Sequence, residues 1–236
     1  IQTMAIPEIS AGRDLVGEAQ TGTGKTLAFL LPIFEKVDPS LPKVQALILT
    51  PTRELAIQIT AEARKLAAFL PLHILAAYGG QDILSQIKKL QGSAQVVIGT
   101  PGRLLDHPRR GTLQFQNEVE MILKRTPDSR QTLCFSATMP AGVRKMTHKY
   151  LKAPVHVAVP APTVTLKDIE QFVVETTDRQ KRHDLFAVLR KERPFLGILF
   201  CRTRHRADAL YAAMSQEGFS CELLHGDLTQ AKREKV

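Results

Sequence analysis

The sequence predicts an α/β protein built from parallel sheets and crossover helices, arranged as two domains of which the second is incomplete. Three observations predict it. Short apolar runs alternate with helix-period stretches along the chain. A Gly/Thr-rich loop stands between one such run and one such helix, which is where α/β folds place a phosphate site. A proline-bearing stretch of small residues then divides the alternation into two blocks.

Taken in order, Asp14-Leu15-Val16-Gly17 is a short apolar strand, and Leu27–Glu35 the helix that follows it. Gln45–Thr50 reads as a buried strand and Glu54–Phe69 as a long amphipathic helix. His73–Tyr78 is a strand, Ile83–Leu90 a helix and Val96–Gly99 a strand. Two helix-like pieces, Leu104–Arg110 and Glu118–Arg125, then follow each other with no strand between them. Gln131–Phe135 is a strand, Val143–Tyr150 a helix and Val155–Val159 a strand. Pro160-Ala161-Pro162-Thr163-Val164-Thr165 breaks the pattern as a linker. The expected division is a first domain over 1–160, a linker over 161–167 and a partial second domain over 168–236. In that second block Ile169–Thr176, Gly197–Cys201 and Cys221–Leu224 read as strands, and Lys181–Lys191 and Ala207–Glu217 as helices. Three strands fall short of the five or six that a doubly wound domain usually has. The chain opens on Ile1 rather than Met, so its natural N-terminus is expected to lie upstream.

The 236 residues are 44% hydrophobic, enough for a sizeable core. No run of about 18 apolar residues is present, so no membrane segment is expected. The formal charge of +9 divides as +7 over residues 1–166 (19 Lys and Arg against 12 Asp and Glu) and +2 over residues 167–236 (13 against 11). A basic balance suits a polyanionic partner, although a generally basic enzyme would show it too. With 6% aromatic residues and no Trp, contact with nucleic-acid backbone is expected over base stacking. Cys134, Cys201 and Cys221 form no Cys-x-x-Cys pair, so zinc is not expected and reduced thiols in a cytoplasmic protein are.

The loop itself is Ala19-Gln20-Thr21-Gly22-Thr23-Gly24-Lys25-Thr26. Backbone N–H groups in such a loop wrap phosphates, Lys25 can reach the β- and γ-phosphates, and the Thr26 hydroxyl can bind Mg²⁺. ATP and Mg²⁺ are the expected cofactors. Four more segments follow strands or lead from them: Pro51-Thr52-Arg53-Glu54-Leu55-Ala56, Thr100-Pro101-Gly102-Arg103, Ser136-Ala137-Thr138, and His225-Gly226-Asp227 leading to Gln230-Ala231-Lys232-Arg233. Strand C-terminal ends are the ligand-binding edge of an open α/β sheet.

In this order, and with alanine at the first loop position, the set resembles the DEAD-box ATP-dependent RNA helicases of superfamily 2, with a bacterial source as the expectation. The resemblance covers essentially the whole chain. It implies two RecA-like domains, RNA-dependent ATP hydrolysis and unwinding of short duplexes. It implies that Gln2 reads adenine. It further implies that Pro51, Thr52, Arg53, Gly80, Thr100, Gly102 and Arg103 contact RNA from the first domain, with Gln230 and Arg233 their second-domain counterparts. Ser136 and Thr138 would couple hydrolysis to strand separation. The plainer readings are helix caps for Thr52 and Thr100, solvated charges for the arginines and an ordinary turn at Ser136–Thr138.

One departure stands against the family pattern. The chain contains no Asp-Glu dipeptide, which should hold Mg²⁺ and the attacking water. An omission near Leu113–Phe115, on the order of twenty residues and including a central strand, is the expected cause. The alternatives are a non-hydrolysing RNA clamp of the same fold and a DNA-directed helicase of the same superfamily.

Overall fold

A computed structural model describes residues 1–79, 94–105, 115–160, 170–233 and 235–236. The coordinates divide into two compact units, Ile1–Val164 and Thr165–Val236. The expected helix at Ile83–Leu90, the linker at 161–167, Gly80 and most of the suspected break near Leu113–Phe115 lie outside the described residues.

In the first unit the order is α1 (Gln2–Ser10), β1 (Leu15–Glu18), α2 (Lys25–Lys36), β2 (Ala46–Leu49), α3 (Arg53–Leu66), β3 (Ile74–Ala77) and β4 (Val96–Gly99). It continues with α4 (Pro101–Leu104), α5 (Phe115–Leu123), β5 (Leu133–Ser136), α6 (Ala141–Tyr150) and β6 (Val155–Ala158). Each strand starts within two residues of its sequence expectation. The helix α3 stops at Leu66, not Phe69, and Phe69 is fully exposed. Pro71 closes the helix by Leu70 at the latest, and the chain leaves it earlier, at the C-cap Ala67 (φ −85°, ψ 7°), with Leu70 N donating back to Ala67 O at 2.9 Å.

All strand pairs are parallel, and they form two three-stranded sheets. One has the order β5-β1-β6, the other β2-β4-β3. In the first, Leu15 stands opposite Leu133 and Val155; in the second, Val96 stands opposite Ala46 and Ile74. The middle strand β4 is buried at every residue, as its Val-Val-Ile-Gly run requires. Helix α2 joins the two sheets. Its Ala28 belongs to the core formed by Ala5, Ile9, Leu15 and Val157. Its Leu30 belongs to the core formed by Ala56, Ile59, Val96 and Ile98.

The first helix had no place in the sequence reading. Pro7 sits inside α1 and reads as a breaker, yet Ala5 and Ile9 lie one turn apart and are fully buried. The tertiary contact of α1 with α2 and β1 outweighs the backbone bond that Pro7 removes.

Each sheet is tied at the N-terminal ends of its strands by one buried polar side chain. The Asp14 carboxylate, 6% exposed, accepts from Thr132 N at 2.8 Å and Lys152 N at 2.7 Å, linking the approaches to all three strands of the first sheet. In the second sheet Gln95 Oε1 accepts from His73 N at 2.9 Å, and Gln95 Nε2 donates to the Pro39 and Leu41 carbonyls, both at 3.3 Å. Replacement Asp14→Ala strands two backbone donors, and it is expected to cost about 2–4 kcal/mol. Urea unfolding followed by circular dichroism measures it; a loss under about 0.5 kcal/mol, within the range of an ordinary surface change, would show that the bridge is not structural.

In the second unit α7 spans Lys181–Glu192, α8 spans Arg204–Gln216 and α9 spans Gln230–Arg233. Phe186 of α7 packs on Phe219 with ring centroids 5.5 Å apart. The three strands expected here are not formed among the described residues. Their apolar residues are instead exposed: Phe172 81%, Val173 91%, Ile198 74% and Phe200 94%. A strand exists only by pairing, and periodicity reports the capacity for it without supplying a partner. Cys201, at the end of the expected strand Gly197–Cys201, is half-buried in a segment without strand pairing among the described residues.

Candidate nucleotide and nucleic-acid site

The loop Ala19–Thr26 leaves β1 at its C-terminal end and runs into α2, whose first residue is Lys25. Gly22 and Gly24 have φ of +80° and +86°, the left-handed region where a Cβ is strained. At Gly24 a Cβ would also lie 2.3 Å from Gln2 Nε2. Two glycines therefore let the backbone turn into α2, and the first N–H groups of a helix lack intrahelical partners and suit an anion.

The loop is braced from several sides. Thr23 Oγ1 donates to Gln20 O at 2.7 Å, and Lys25 Nζ donates to the Ala19 and Gln20 carbonyls, both at 2.5 Å. Partial burial pushes the Lys25 ammonium below the ordinary lysine value. Gln2 Nε2 donates to Gly24 O at 3.2 Å, so α1 delivers Gln2 to the loop. Ala19 N donates to Ser136 O at 3.1 Å, so the phosphate loop and the Ser-Ala-Thr segment are directly bonded. Within that segment Ser136 Oγ donates to Thr138 O at 2.5 Å and accepts from Thr138 N at 3.3 Å.

The second sheet carries the other first-unit segments. Thr52 caps α3, its Oγ1 accepting from Leu55 N at 3.3 Å, so the helix-cap reading is met there. Thr100 precedes α4 without a side-chain cap, and its N–H donates to Ala77 O at 3.1 Å. Buried Thr50 donates from Oγ1 to Thr52 O at 3.0 Å, tying the end of β2 to the turn that follows it. The Arg53 guanidinium lies against Gly79, where a Cβ would come within 2.9 Å of Nη2. Gly102 faces the Glu118 carboxylate, which would be 3.2 Å from a Cβ there. Pro51 and Arg103 lie in the same two strand-end segments. Gln230 and Arg233 stand on the four-residue helix α9 of the other unit. Near them His225 Nε2 pairs with Asp208 Oδ1 at 3.1 Å, and Arg204 pairs with Asp227.

The residues present fit a bound triphosphate. The loop offers backbone N–H groups, one ammonium and the hydroxyls of Thr21, Thr23 and Thr26. For Mg²⁺ the match is partial: Thr26 offers one oxygen, and no cluster of acidic, His or Cys ligands exists among the described residues. The cysteines are free, and burial pushes the Cys134 thiol up, away from reactive thiolate.

Fold and loop together define a P-loop α/β protein, and comparison with known proteins narrows the class. A family model for the DEAD/DEAH box helicases matches residues 1–114. Over 252 aligned positions the chain is 41% identical to the DEAD-box ATP-dependent RNA helicase CshA of Bacillus subtilis, with 99% of this chain and 51% of that protein covered. Over 255 positions it is 44% identical to the ATP-dependent RNA helicase CshA of Listeria monocytogenes, covering all of this chain and 49% of that one. A crystal structure of a DEAD box protein from the hyperthermophile Methanococcus jannaschii matches with a TM-score of 0.61 and 35% identity, over 98% of this chain and 67% of that one. The chain belongs to the DEAD-box helicase family. It spans about half the length of the curated relatives it matches. Since 252 and 255 aligned positions exceed the 236 residues here, those relatives carry at least 16 to 19 positions without a counterpart in this chain.

Proposed function

We propose that the chain supplies nucleotide- and RNA-binding surfaces of an ATP-dependent RNA helicase, one that grips RNA backbone across an interdomain cleft and unwinds short duplexes as ATP is hydrolysed. The observation that carries this is the bond from Ala19 N to Ser136 O. It joins the phosphate loop to the segment expected to pass the state of the nucleotide to the nucleic acid.

In this reading residues 1–160 are a RecA-like ATP-binding domain, 161–167 a linker and 168–236 part of a second RecA-like domain. Ala19 to Thr26 hold the phosphates, with Lys25 neutralising charge and Thr26 contributing an oxygen to Mg²⁺. The bound metal would supply further charge neutralisation on the phosphates. Gln2 would read adenine, and its bond to Gly24 O, which ties it to the loop, supports that role. RNA phosphates and sugars are met by Pro51, Thr52, Arg53, Gly80, Thr100, Gly102 and Arg103, and by Gln230 and Arg233 from the second unit. The cytoplasm is the proposed location. No helix among the described residues is long and apolar enough to cross a membrane.

RNA binding measured by anisotropy with and without ATP tests the reading. ATP-dependent, salt-sensitive binding is expected, with RNA outcompeting DNA of equal length because 2′-hydroxyl contacts separate them. Binding indifferent to ATP, or equal for DNA, would overturn it. A non-hydrolysing clamp is the second reading, favoured by the missing Asp-Glu dipeptide; ATP-dependent binding without RNA-stimulated phosphate release would select it. Arg103→Ala is expected to weaken binding to unrelated RNA sequences about equally and to lower the salt slope by about one. Loss confined to one sequence would contradict backbone reading.

A further inference from the structure

Helices α1 and α2 and strand β5 run between the same ends of the first unit. Helix α1 goes from Gln2 to Ser10, α2 from Lys25 to Lys36, and β5 from Leu133 to Ser136. At one end is the candidate nucleotide site: Gln2 is bonded to Gly24, Lys25 opens α2, and Ser136 is bonded to Ala19. At the other end side chains that touch no part of the phosphate loop knot the same elements together.

Lys36 and Gln131 make the knot. Lys36 Nζ, at the end of α2, donates to Ile9 O of α1 at 2.6 Å and to Gln131 Oε1 at 3.0 Å. Gln131 Nε2, just ahead of β5, donates to the same Ile9 O at 3.0 Å and to Arg13 O at 2.6 Å. The partners orient the amide, since its oxygen meets an ammonium and its nitrogen meets carbonyls. The last carbonyls of a helix lack the donors of a next turn, and an ammonium suits the negative end of the helix dipole. Ser10 Oγ adds a further tie between the helices, donating to Glu35 Oε2 at 3.1 Å.

Helix α1 depends on such ties. Its 9 residues include Pro7, and a helix so short is marginal by itself. Ala5 and Ile9 press it onto the core, but apolar contact is not directional. Directional bonds at its two ends fix how far along α2 it stands. At about 1.5 Å of rise per residue, the knot lies some 13 Å from Gln2, too far for either side chain to touch a base there.

We propose, resting on the reading of Gln2 as the residue that meets adenine, that Lys36 and Gln131 are positioning residues for base recognition. They hold the register of α1 against α2 and β5, and so set where the Gln2 amide stands over a nucleotide on the Lys25 loop. Neither residue contacts the nucleotide.

The test displaces a fluorescent ATP analogue with ATP, GTP or inorganic tripolyphosphate. The ATP-to-GTP affinity ratio reads the base, and tripolyphosphate reads the loop alone. Gln2→Ala is expected to lower the ratio about fivefold, as loss of one net hydrogen bond does. The double variant Lys36→Met/Gln131→Leu is expected to lower it at least about threefold and to leave tripolyphosphate affinity within about 1.5-fold of the parent, because a small shift of α1 breaks a base contact and spares the loop. Lys36→Met alone, which keeps the Gln131 bonds to α1, is expected to lower the ratio about twofold. Adding Gln2→Ala to the double variant is expected to lower the ratio no further than Gln2→Ala alone, since both act through one contact. A parent-like ratio in the double variant, beside a lowered one in Gln2→Ala, would overturn the positioning role and leave the Gln2 reading standing. So would additive losses, or equal losses for ATP, GTP and tripolyphosphate, which mark a general loosening of the unit. A ratio unmoved by Gln2→Ala would strike the Gln2 reading itself, and the positioning role would fall with it.

Discussion

Lys25→Ala is expected to weaken ATP binding by at least about 100-fold while leaving the unfolding transition where it was. The side chain is partly exposed on the first turn of α2, and among the described residues it donates to the loop carbonyls of Ala19 and Gln20. None of the core residues around α2, such as Ala28 and Leu30, depends on it. Hydrogen bonds between an ammonium and phosphate oxygens contribute roughly 1.5–3 kcal/mol each, so losing two gives the stated factor or more. Partial desolvation strengthens the case, because an ammonium already short of water gains more from an anionic partner. Titration with a fluorescent ATP analogue measures the loss. Affinity within about threefold of the parent protein would remove Lys25 from the phosphate site.

That prediction was open to the sequence because a phosphate loop is local. Eight consecutive residues carry the glycines, the lysine and the threonine, and the structure adds only the φ values of Gly22 and Gly24. The strands of the first unit were legible for a similar reason, since each is a short apolar run bounded by turn residues. What escaped was non-local. Asp14 read as the start of a strand, and nothing nearby says that Thr132 and Lys152, more than 100 residues on, will donate to it. The bond from Ala19 to Ser136 is of the same kind. Gln2 drew attention only by its place in a familiar order, and it took α1 to show it bonded to Gly24. The second unit fails in the opposite direction. Gly197–Cys201 has the composition of a buried strand, and composition cannot report whether a partner strand is there to pair with it.

Gly99→Ala is expected to destabilise the second sheet as much as a large cavity-forming change in its core. Gly99 is the last residue of β4, the strand held between β2 and β3. A Cβ there would lie 2.1 Å from the carbonyl oxygen of Ala77 and 2.9 Å from its carbonyl carbon. Backbone atoms of a paired strand cannot step aside as a side-chain end can, so relief requires β3 and β4 to separate. The same point carries two further bonds, from Thr50 N to Gly99 O at 2.9 Å and from Thr100 N to Ala77 O at 3.1 Å. Separation would strain both, and with them the turns that place Thr52, Arg53, Gly102 and Arg103. Overpacking in a tight interior costs about 1–3 kcal/mol, and a backbone collision belongs at or above the upper end. The expected result is a loss of about 3 kcal/mol or more in urea unfolding, together with weakened RNA binding. Adding Ala77→Gly supplies the control. The severe collision is with the Ala77 carbonyl, and the Ala77 methyl at 3.1 Å is only a tight contact, so the double variant is expected to recover little of the loss. Full rescue by Ala77→Gly, or a single-variant loss below about 1 kcal/mol, would mean that β3 and β4 do not approach this closely in solution.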